Sequence, residues 1–145
     1  MVPEDVPAVL AIEQASFSAP WSEHSFLSEV RNHNSLSLLA EIDNQVVGYI
    51  VVRIVADEAH LHDIAVHPAQ RRRGIARSLM DRVLDELRTG GTRFFFLEVR
   101  KSNEAAHLFY SSFGFRAYAL RRGYYASPEE DACLMRVDFS PIRSN

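Results

Sequence analysis

A short basic turn with one glycine is the feature that most constrains this chain. The turn reads Arg71-Arg72-Arg73-Gly74-Ile75-Ala76, between the strand-like run Leu61 to Val66 and the helical run Ile75 to Leu87. The first amide groups of a helix have no partner within the helix, and with the positive end of the helix dipole they attract phosphate oxygens. Gly74 lets the backbone come close to a ligand because it has no Cβ. The pattern predicts a pyrophosphate site at a strand-to-helix turn.

The turn by itself leaves a second interpretation open. A Walker A loop would need Lys followed by Ser or Thr after its second glycine, and a dinucleotide fingerprint needs three glycines and an acidic residue about 20 residues on. Neither pattern is present. An ordinary strand-to-helix turn with a solvated arginine cluster fits these residues equally well, so the choice depends on the rest of the chain.

Length and composition predict one domain over residues 1–145. A chain of 145 residues buries about 68–70% of the surface that its unfolded form exposes, which is enough for one core. The net charge of −3 argues against bulk nucleic-acid binding. No apolar run is long enough to span a bilayer, and no secretory pattern follows Met1. A single cysteine, Cys133, fits a reducing cytoplasm. We expect a cytoplasmic monomer with no nucleic-acid or membrane partner.

Helix signals occur at four places. Asp5 is expected to cap the first helix, with Val6, Val9, Leu10 and Phe17 on its inner face. Ser22 is expected to cap the second helix, with an inner face made by Phe26, Leu27 and Val30. Apolar residues recur every fourth position from Ile75 to Leu87, and Gly90-Gly91 follows. Ser102 or Asn103 is expected to cap a short helix that ends at Gly114.

Strand signals alternate with these helices, and Asp43-Asn44 is typical of a turn between two of them. The expected strands are Leu36 to Ile42, Val46 to Val55, Ala59 to Val66, Phe94 to Val99, Phe115 to Arg122 and Ala132 to Asp138. The last two are expected to form an antiparallel pair. The fold class is therefore α/β, of the α+β type.

The order strand, Arg-x-x-Gly-x-Ala turn, helix, strand, Asn-capped helix and Gly-Phe strand resembles the GNAT superfamily of acyl-CoA N-acyltransferases. More narrowly, segments along almost the whole chain resemble the RimI-type ribosomal-protein-alanine N-acetyltransferases. Those segments are Phe17 to Ser22, Ile64 to Val66, Leu97 to Asn103, Leu108 to Tyr110, Gly114-Phe115, Arg121 to Tyr125 and Glu130 to Ala132. The resemblance implies a GNAT fold, in which flanking helices cover a mixed sheet that is splayed at an acetyl-CoA cleft.

Two departures from that group matter. The group places a strand before its first helix, but only Met1 to Glu4 precede Asp5 here. We therefore expect the first edge strand to be short or missing, unless the chain begins late. Gly123 stands where members of the group carry Asn, so a substrate-side loop is expected to differ.

The resemblance also implies a set of residues for acetyl-CoA. The pyrophosphate would be held by the turn made of Arg71, Arg72, Arg73, Gly74, Ile75, Ala76 and Arg77. The backbone of Ile64, Ala65 and Val66 would pair with the pantetheine arm as an added strand would. The Val66 amide would stabilise the oxyanion. Asn103, a helix cap on local grounds, would also contact the pantetheine or pyrophosphate region.

Glu98 is the candidate general base. Strand alternation places Phe94, Phe96 and Glu98 on one face. A carboxylate beside aromatic rings is desolvated, which suits a base, but a Glu near a strand end can equally reach solvent or pair with Arg100. Spacing leaves both interpretations open, and the resemblance implies the catalytic one.

Tyr110 is the candidate general acid. From its spacing to Ala106 and Phe113, a core aromatic is the simpler interpretation. The resemblance implies that it donates a proton to the departing thiolate.

Other candidates carry weaker patterns. His60 and His62 share a strand but have no third ligand at suitable spacing, so we expect no metal site. Cys133 is expected to be a buried structural thiol. Arg121-Arg122 is either a solvated strand end or, with Tyr124-Tyr125, part of a loop over the acceptor. Four acidic residues are either surface charges or the lining of a groove for a basic peptide. They are Asp57, Glu58, Glu130 and Asp131.

The acceptor class follows from amine acidity. A free α-amine has a pKa of about 7.7–8.0 and lysine one of about 10.4, so deprotonating lysine costs roughly 3.4 kcal/mol more. One Glu base therefore favours an α-amine, and the resemblance implies the N-terminal alanine of a small-subunit ribosomal protein. An acetyltransferase for internal lysines or small-molecule amines stays open, as does a non-catalytic acyl-CoA-binding module.

Overall fold

A six-stranded mixed sheet organises the protein in this computed structural model, which describes residues 1–140. The strands are β1 (Ser35–Ile42), β2 (Gln45–Val55), β3 (Glu58–Val66), β4 (Phe94–Arg100), β5 (Arg116–Ala126) and β6 (Glu129–Asp138). Their order across the sheet is β1-β2-β3-β4-β6-β5. Neighbouring strands are antiparallel except for β3 and β4, which are parallel. All six predicted strands are present, although β5 continues past the predicted end at Arg122. The predicted domain end, residues 141–145, lies outside the described residues.

Four α-helices cover the two faces of the sheet. They are α1 (Val6–Ser16), α2 (Glu23–Arg31), α3 (Ile75–Thr89) and α4 (Glu104–Ser111), with short 3-10 turns at Pro3–Asp5 and Pro68–Gln70. Side chains of α3 and α4 pack in one apolar cluster with one face of the sheet. Those of α1 and α2 pack in a second cluster with the other face. The predicted mixed sheet with flanking helices is therefore confirmed.

The first helix begins without a preceding strand. Pro3–Asp5 forms a 3-10 turn, and Asp5 Oδ2 accepts a hydrogen bond from the Val2 amide at 2.8 Å instead of capping α1. Within residues 1–140 no strand precedes α1. Phe17 was predicted to lie on the inner face of α1, and this is wrong. The helix ends at Ser16, and Phe17 is in an extended conformation and 41% exposed.

The start of α3 is held close to the sheet at Gly48 on β2. A Cβ at Gly48 would lie 3.2 Å from Ile75 Cγ2 and 3.1 Å from the Ala65 carbonyl oxygen. A larger residue would push the first turn of α3 away from β2 and β3. Gly48 thus fixes the height of the basic turn above the end of β3.

The two central strands separate after a short paired stretch. The parallel register runs only through Glu58↔Phe94, Ala59↔Phe95 and His60↔Phe96. A bulge then shifts the pairing of β3 with β2, so that Val52 faces Leu61 and Val51 faces Asp63. The intervening residue, His62, is the extra residue of the bulge, which bends the strand and switches the faces of the following side chains. Beyond His60 the sheet is splayed between β3 and β4, as predicted.

Candidate active site

A cavity of about 370 Å³ fills the gap between the separated strands. Four predicted site residues line it from three elements, namely Ile64 on β3, Glu98 on β4, and Asn103 and Tyr110 at α4. The segment between α1 and α2 closes one side with Trp21, and β5 contributes Tyr125. The fold therefore brings the predicted base and the predicted acid to one cavity beside the unpaired part of β3.

The backbone of β3 faces this cavity with free hydrogen-bonding groups. His67 N donates to Val47 O at 2.7 Å, and Val66 is opposite Gly48 in the β2–β3 register. In an antiparallel pair, hydrogen-bonded and non-bonded residue pairs alternate. Val66 and Ile64 therefore turn their N–H and C=O groups away from β2 and towards the gap. The Val66 carbonyl accordingly accepts from Arg71 Nε at 3.2 Å.

The basic turn after β3 is a concave array of amide donors. Within the described residues, no backbone N–H from Arg71 to Arg77 donates to a backbone carbonyl, and the first such bond is from Ser78 N to Gly74 O at 3.0 Å. Arg72 and Gly74 have φ values of 64° and 77°, in the left-handed region. When left-handed and right-handed residues alternate along a turn, their successive N–H groups point to the same side and form an anion-binding nest. A Cβ built at Gly74 would meet no protein atom within 4 Å, so the space above the turn is open.

The arginines of the turn have different roles. Arg71 Nη2 donates to Ser16 Oγ on α1 at 3.2 Å. Arg77 Nη2 donates to Ser112 Oγ at 2.8 Å, and its guanidinium carbon lies 4.6 Å from the Phe113 ring centroid. These two side chains attach the turn to α1 and to the end of α4. Arg72 and Arg73 remain exposed to solvent, where their charge faces any anion that approaches the amides.

Glu98 is placed by strand alternation, as predicted. Phe95, Leu97 and Val99 are buried, while Glu98 shares the half-buried face with Phe94 and Phe96. Its Oε2 lies 2.7 Å from His60 Nε2. The alternative pairing with Arg100 does not form, because Arg100 instead lies 3.4 Å from Glu130 Oε1 and donates to Pro128 O at 2.9 Å. Glu98 is thus an acid at the cavity wall whose partner is a histidine.

Tyr110 serves both the core and the cavity. Its ring packs against Phe109 and Phe115, with centroid distances of 5.4 Å and 5.9 Å, and it also lines the cavity. Burial, followed by the nearby Asp63 carboxyl, raises the pKa of the Tyr110 phenol above its ordinary value. The phenol is therefore protonated at neutral pH, as a proton donor must be.

Asn103 caps α4 as predicted, since its Oδ1 accepts from the Ala106 amide at 3.1 Å. Ser22 likewise caps α2, accepting from the Ser25 amide at 3.1 Å.

The structure adds a buried carboxyl pair that the sequence analysis missed. Glu13 is 1% exposed, and its oxygens accept from Tyr49 Oη at 2.7 Å and from the Trp21 amide at 3.0 Å. Burial, followed by hydrogen bonding to Glu13, raises the pKa of Asp63 to about 9. Two neighbouring carboxyls cannot both be charged at low cost, and this favours the protonated form of Asp63 at neutral pH. A sequence signal existed, because Glu13 is one turn from Val9 on the apolar face of α1.

The four acidic residues proposed for a basic groove are not brought together. Asp57 and Glu58 lie at the start of β3, the end opposite to the splayed one. Glu130 Oε2 accepts from the Ser102 amide at 2.8 Å, and Asp131 Oδ1 from the Gly123 amide at 2.9 Å. Of the two interpretations left open, surface charge therefore fits Asp57 and Glu58, which lie away from the cavity, while Glu130 and Asp131 hold loops. The acidic groups at the cavity are Glu13, Asp63 and Glu98.

The segment around Gly123 is an irregular part of β5. Pairing with β6 shifts between Arg121 and Tyr125, and Gly123 has a φ of 64°. Asn tolerates this left-handed conformation better than most residues do, so Gly and Asn suit the position alike. The Arg100 guanidinium lies 4.4 Å from the Tyr125 ring and supports that side chain at the cavity edge.

The remaining chemistry-bearing residues form no further centre in the part of the chain described. Residues 1–140 contain no group of three metal-ligating side chains. Cys133 is half-buried rather than fully buried, and burial raises the pKa of its thiol. Over the same residues, no helix has the length and apolar character needed to cross a membrane.

Comparisons with known proteins agree with this geometry. The acetyltransferase (GNAT) family matches residues 6–115. The [ribosomal protein bS18]-alanine N-acetyltransferase of Salmonella typhimurium is 40% identical over 138 residues, which are 94% of this chain and 93% of that protein. Its Escherichia coli counterpart is 37% identical with the same coverage. The crystal structure of the ribosomal-protein-S18-alanine N-acetyltransferase from Escherichia coli superimposes with a TM-score of 0.93 at 35% identity, covering 100% of this chain and 94% of that one.

The raised pKa of Asp63 makes a prediction about stability. Because the folded state binds this proton more tightly than the unfolded state, the stabilisation is complete below about pH 4 and is lost as the pH rises towards 9. Asp63→Asn keeps a donor towards Glu13 at every pH, so its unfolding free energy should depend less on pH. Urea unfolding at pH 5, 7 and 9 measures this. Asp81→Asn, an exposed acid on α3, is the control. Parallel pH dependence in wild type and Asp63→Asn would contradict the raised pKa of Asp63.

Proposed function

Because the chain belongs to the GNAT acetyltransferase family and is an acetyl-CoA-dependent N-acetyltransferase, we propose that it acetylates the α-amine of the N-terminal alanine of ribosomal protein bS18. The observation that carries the proposal is the cavity where Glu98 and Tyr110 meet beside the unpaired edge of β3. The named relatives, which the chain matches over 94% of its length, supply the acceptor. We extend the proposal to a single domain over residues 1–145 that works as a monomer in the cytoplasm.

The free edge of β3 and the basic turn are suited to acetyl-CoA. Ile64 would bond the amide groups of the pantetheine arm through its N–H and C=O groups, which point into the gap. The Val66 C=O already accepts from Arg71, so its N–H is left for the thioester end of the arm. The amides of Arg72 to Arg77, with the side chains of Arg72 and Arg73, would hold the pyrophosphate. Arg71 would act indirectly, since its guanidinium is bonded to Val66 and Ser16. Asn103 lines the same cavity and would contact the arm.

Acetyl transfer would proceed by direct attack. Glu98 accepts a proton from the α-ammonium group, and the resulting amine attacks the thioester carbon. The Val66 N–H stabilises the oxyanion of the tetrahedral intermediate. As the C–S bond breaks, Tyr110 donates its proton to the thiolate. The acylated nitrogen then loses its second proton to solvent, the product amide and free coenzyme A leave, Glu98 releases its proton to solvent, and Tyr110 recovers one from it.

The acceptor preference follows from the acids in the cavity. Glu98 is a single carboxylate, and an α-amine is roughly 3.4 kcal/mol easier to deprotonate near neutral pH than lysine is. Trp21 and Tyr125 border the cavity and would enclose a small first residue such as alanine. Asp57, Glu58, Glu130 and Asp131 do not line this cavity in residues 1–140, so we expect no requirement for a basic second residue.

Gly74→Val tests the pyrophosphate site. Its side chain would project into the open space above the amides and weaken acetyl-CoA binding by at least about 10-fold, the effect of losing one charge-assisted hydrogen bond of roughly 1.5 kcal/mol. The left-handed φ also costs about 1–2 kcal/mol of stability. Gly91→Val is a matched control, because Gly91 has a φ of 83° and an equally open surrounding at the other end of α3. The affinity for acetyl-CoA is measured by calorimetry. If it falls equally in both variants, or in neither, the pyrophosphate does not bind at the Gly74 turn.

Glu98→Gln and Tyr110→Phe test the proton transfers. Removing the base should lower kcat at neutral pH by about 100-fold or more, and removing the donor should also slow turnover, while acetyl-CoA affinity changes little. Glu41→Gln, an exposed acid near the end of β1, is the control for the first variant, and thermal unfolding midpoints check both. Wild-type turnover in both variants would return Glu98 and Tyr110 to structural roles.

A peptide panel tests the acceptor. Rates are compared for an N-terminal Ala-Arg peptide, the same peptide with a blocked N-terminus and a free lysine, and a peptide with a neutral second residue. We expect acetylation only where the α-amine is free, and similar rates for the Arg and neutral second residues. Equal rates on the blocked and free peptides would defeat the α-amine assignment.

A further inference from the structure

We propose that His60 is a positioning residue for Glu98, which aims the carboxylate and sets its strength as a base. This inference rests on the proposed function, since it assumes that Glu98 deprotonates the acceptor. It assigns a role to a side chain that the direct-attack mechanism does not use.

The two side chains meet where the sheet separates. His60 is the last residue of β3 paired with β4, opposite Phe96, and Glu98 is two residues further along β4. The strand register therefore fixes the distance between their backbones. His60 Nε2 and Glu98 Oε2 lie 2.7 Å apart, a short charge-assisted bond. Glu98 Oε1 makes no hydrogen bond within residues 1–140, so one oxygen is held by His60 and the other is left for the acceptor amine.

The exposure of the two side chains makes the contact responsive to pH. The His60 side chain is 41% exposed and that of Glu98 is 20% exposed, so the imidazole can exchange protons with solvent while the carboxylate faces the cavity. A neutral imidazole donates Nε2–H and leaves Glu98 free to accept a proton on Oε1. A protonated imidazole places a full positive charge beside the carboxylate and makes Glu98 a weaker base. The basicity of Glu98 should therefore fall when His60 becomes charged.

Other charged or titratable groups surround the pair from five elements. The nearest on β3 is His62, whose ring centroid is 5.3 Å from that of His60. Burial, followed by the His60 charge, lowers the pKa of His62, so His62 adds no charge at neutral pH. On β2, Arg53 is opposite His60 and is neutralised by Glu29 of α2 at 2.6 Å. The field of Glu98 also reaches Tyr118 and Tyr125 on β5, and Arg136 of β6 lies over the Tyr118 ring. His60 is the nearest of these groups that can gain a charge.

The test combines His60→Ala and His60→Gln with Glu98→Gln. His60→Ala removes the donor. His60→Gln offers an amide donor that does not ionise, and it also covers the case in which the alanine variant fails to fold. His33→Ala, an exposed histidine after α2, is the control. The measurements are kcat, the KM for acetyl-CoA and the pH dependence of kcat on an N-terminal alanine peptide, with thermal midpoints.

The expected pattern separates positioning from a structural role. His60→Ala should lower kcat by about 10- to 100-fold, the scale of a misplaced catalytic group, with an unchanged KM for acetyl-CoA. The same change in the Glu98→Gln background should have no further effect, because His60 acts through Glu98. His60→Gln should retain most of kcat above pH 8. On the acidic side of the profile its pH dependence should differ from that of the wild type, because glutamine cannot become charged beside Glu98.

Three results would overturn the inference. The first is unchanged kcat in His60→Ala, and the second is an equal loss with and without Glu98. The third is a His60→Gln pH profile that coincides with the wild-type profile. If one of these results is obtained and Glu98→Gln is nevertheless inactive, Glu98 stands as the proposed base and only the role of His60 fails. If Glu98→Gln retains full activity, the proposed function itself fails.

Discussion

The incomplete pairing of β3 with β4 is the constraint on which the rest of the structure depends. A sheet interior normally satisfies its backbone groups on both sides, and here the parallel ladder stops after three residue pairs. Each strand keeps its outer partner, β2 for β3 and β6 for β4, so the gap does not unravel the sheet. The N–H and C=O groups of Ile64 and the N–H of Val66 are then available to an extended ligand. The bulge at His62 bends β3 away from β4 and so helps to open the gap.

The proton chemistry of the site depends on burial as much as on residue type. The pKa of Asp63 is raised by its burial and because two neighbouring carboxyls cannot both be charged cheaply, and Glu13 also accepts hydrogen bonds from the Trp21 amide and the Tyr49 hydroxyl. That carboxyl therefore connects α1, β2 and the segment that borders the cavity. Glu98 differs because it is partly exposed and has a histidine partner. The three acidic side chains around the cavity thus differ in their roles, because each has different burial and different hydrogen-bond partners.

Local pattern predicted most of the fold. The strands, the turn at Asp43-Asn44, the central helix and the Ser22 and Asn103 caps follow from periodicity and short-range hydrogen bonding. The position of Glu98 also followed from alternation. Phe17 was misplaced because one extra residue carries it past the end of α1. The helical spacing of apolar residues cannot show whether α1 ends at Ser16 or one residue later.

The contacts between distant elements could not be predicted in the same way. His60 and Glu98 are 38 residues apart, and their contact depends on the parallel register of two strands that the sequence does not specify. The Glu13–Asp63 pair depends in addition on the bulge at His62, which sets the side-chain faces of β3 beyond it. Asp57 and Glu58 looked suitable for a groove, but the chain direction of β3 places them at its opposite end. The sequence therefore indicated which side chains could act chemically, but it did not indicate which of them meet in the folded protein.

The most direct test of the central claim is the mass of the N-terminal peptide of bS18 isolated from cells. The gene for this chain is intact in one culture, deleted in a second, and restored as Glu98→Gln in a third. We predict an acetylated N-terminal alanine in the first culture and a free α-amine in the other two. Full acetylation in the deletion strain, or a free α-amine in the intact strain, would contradict the account.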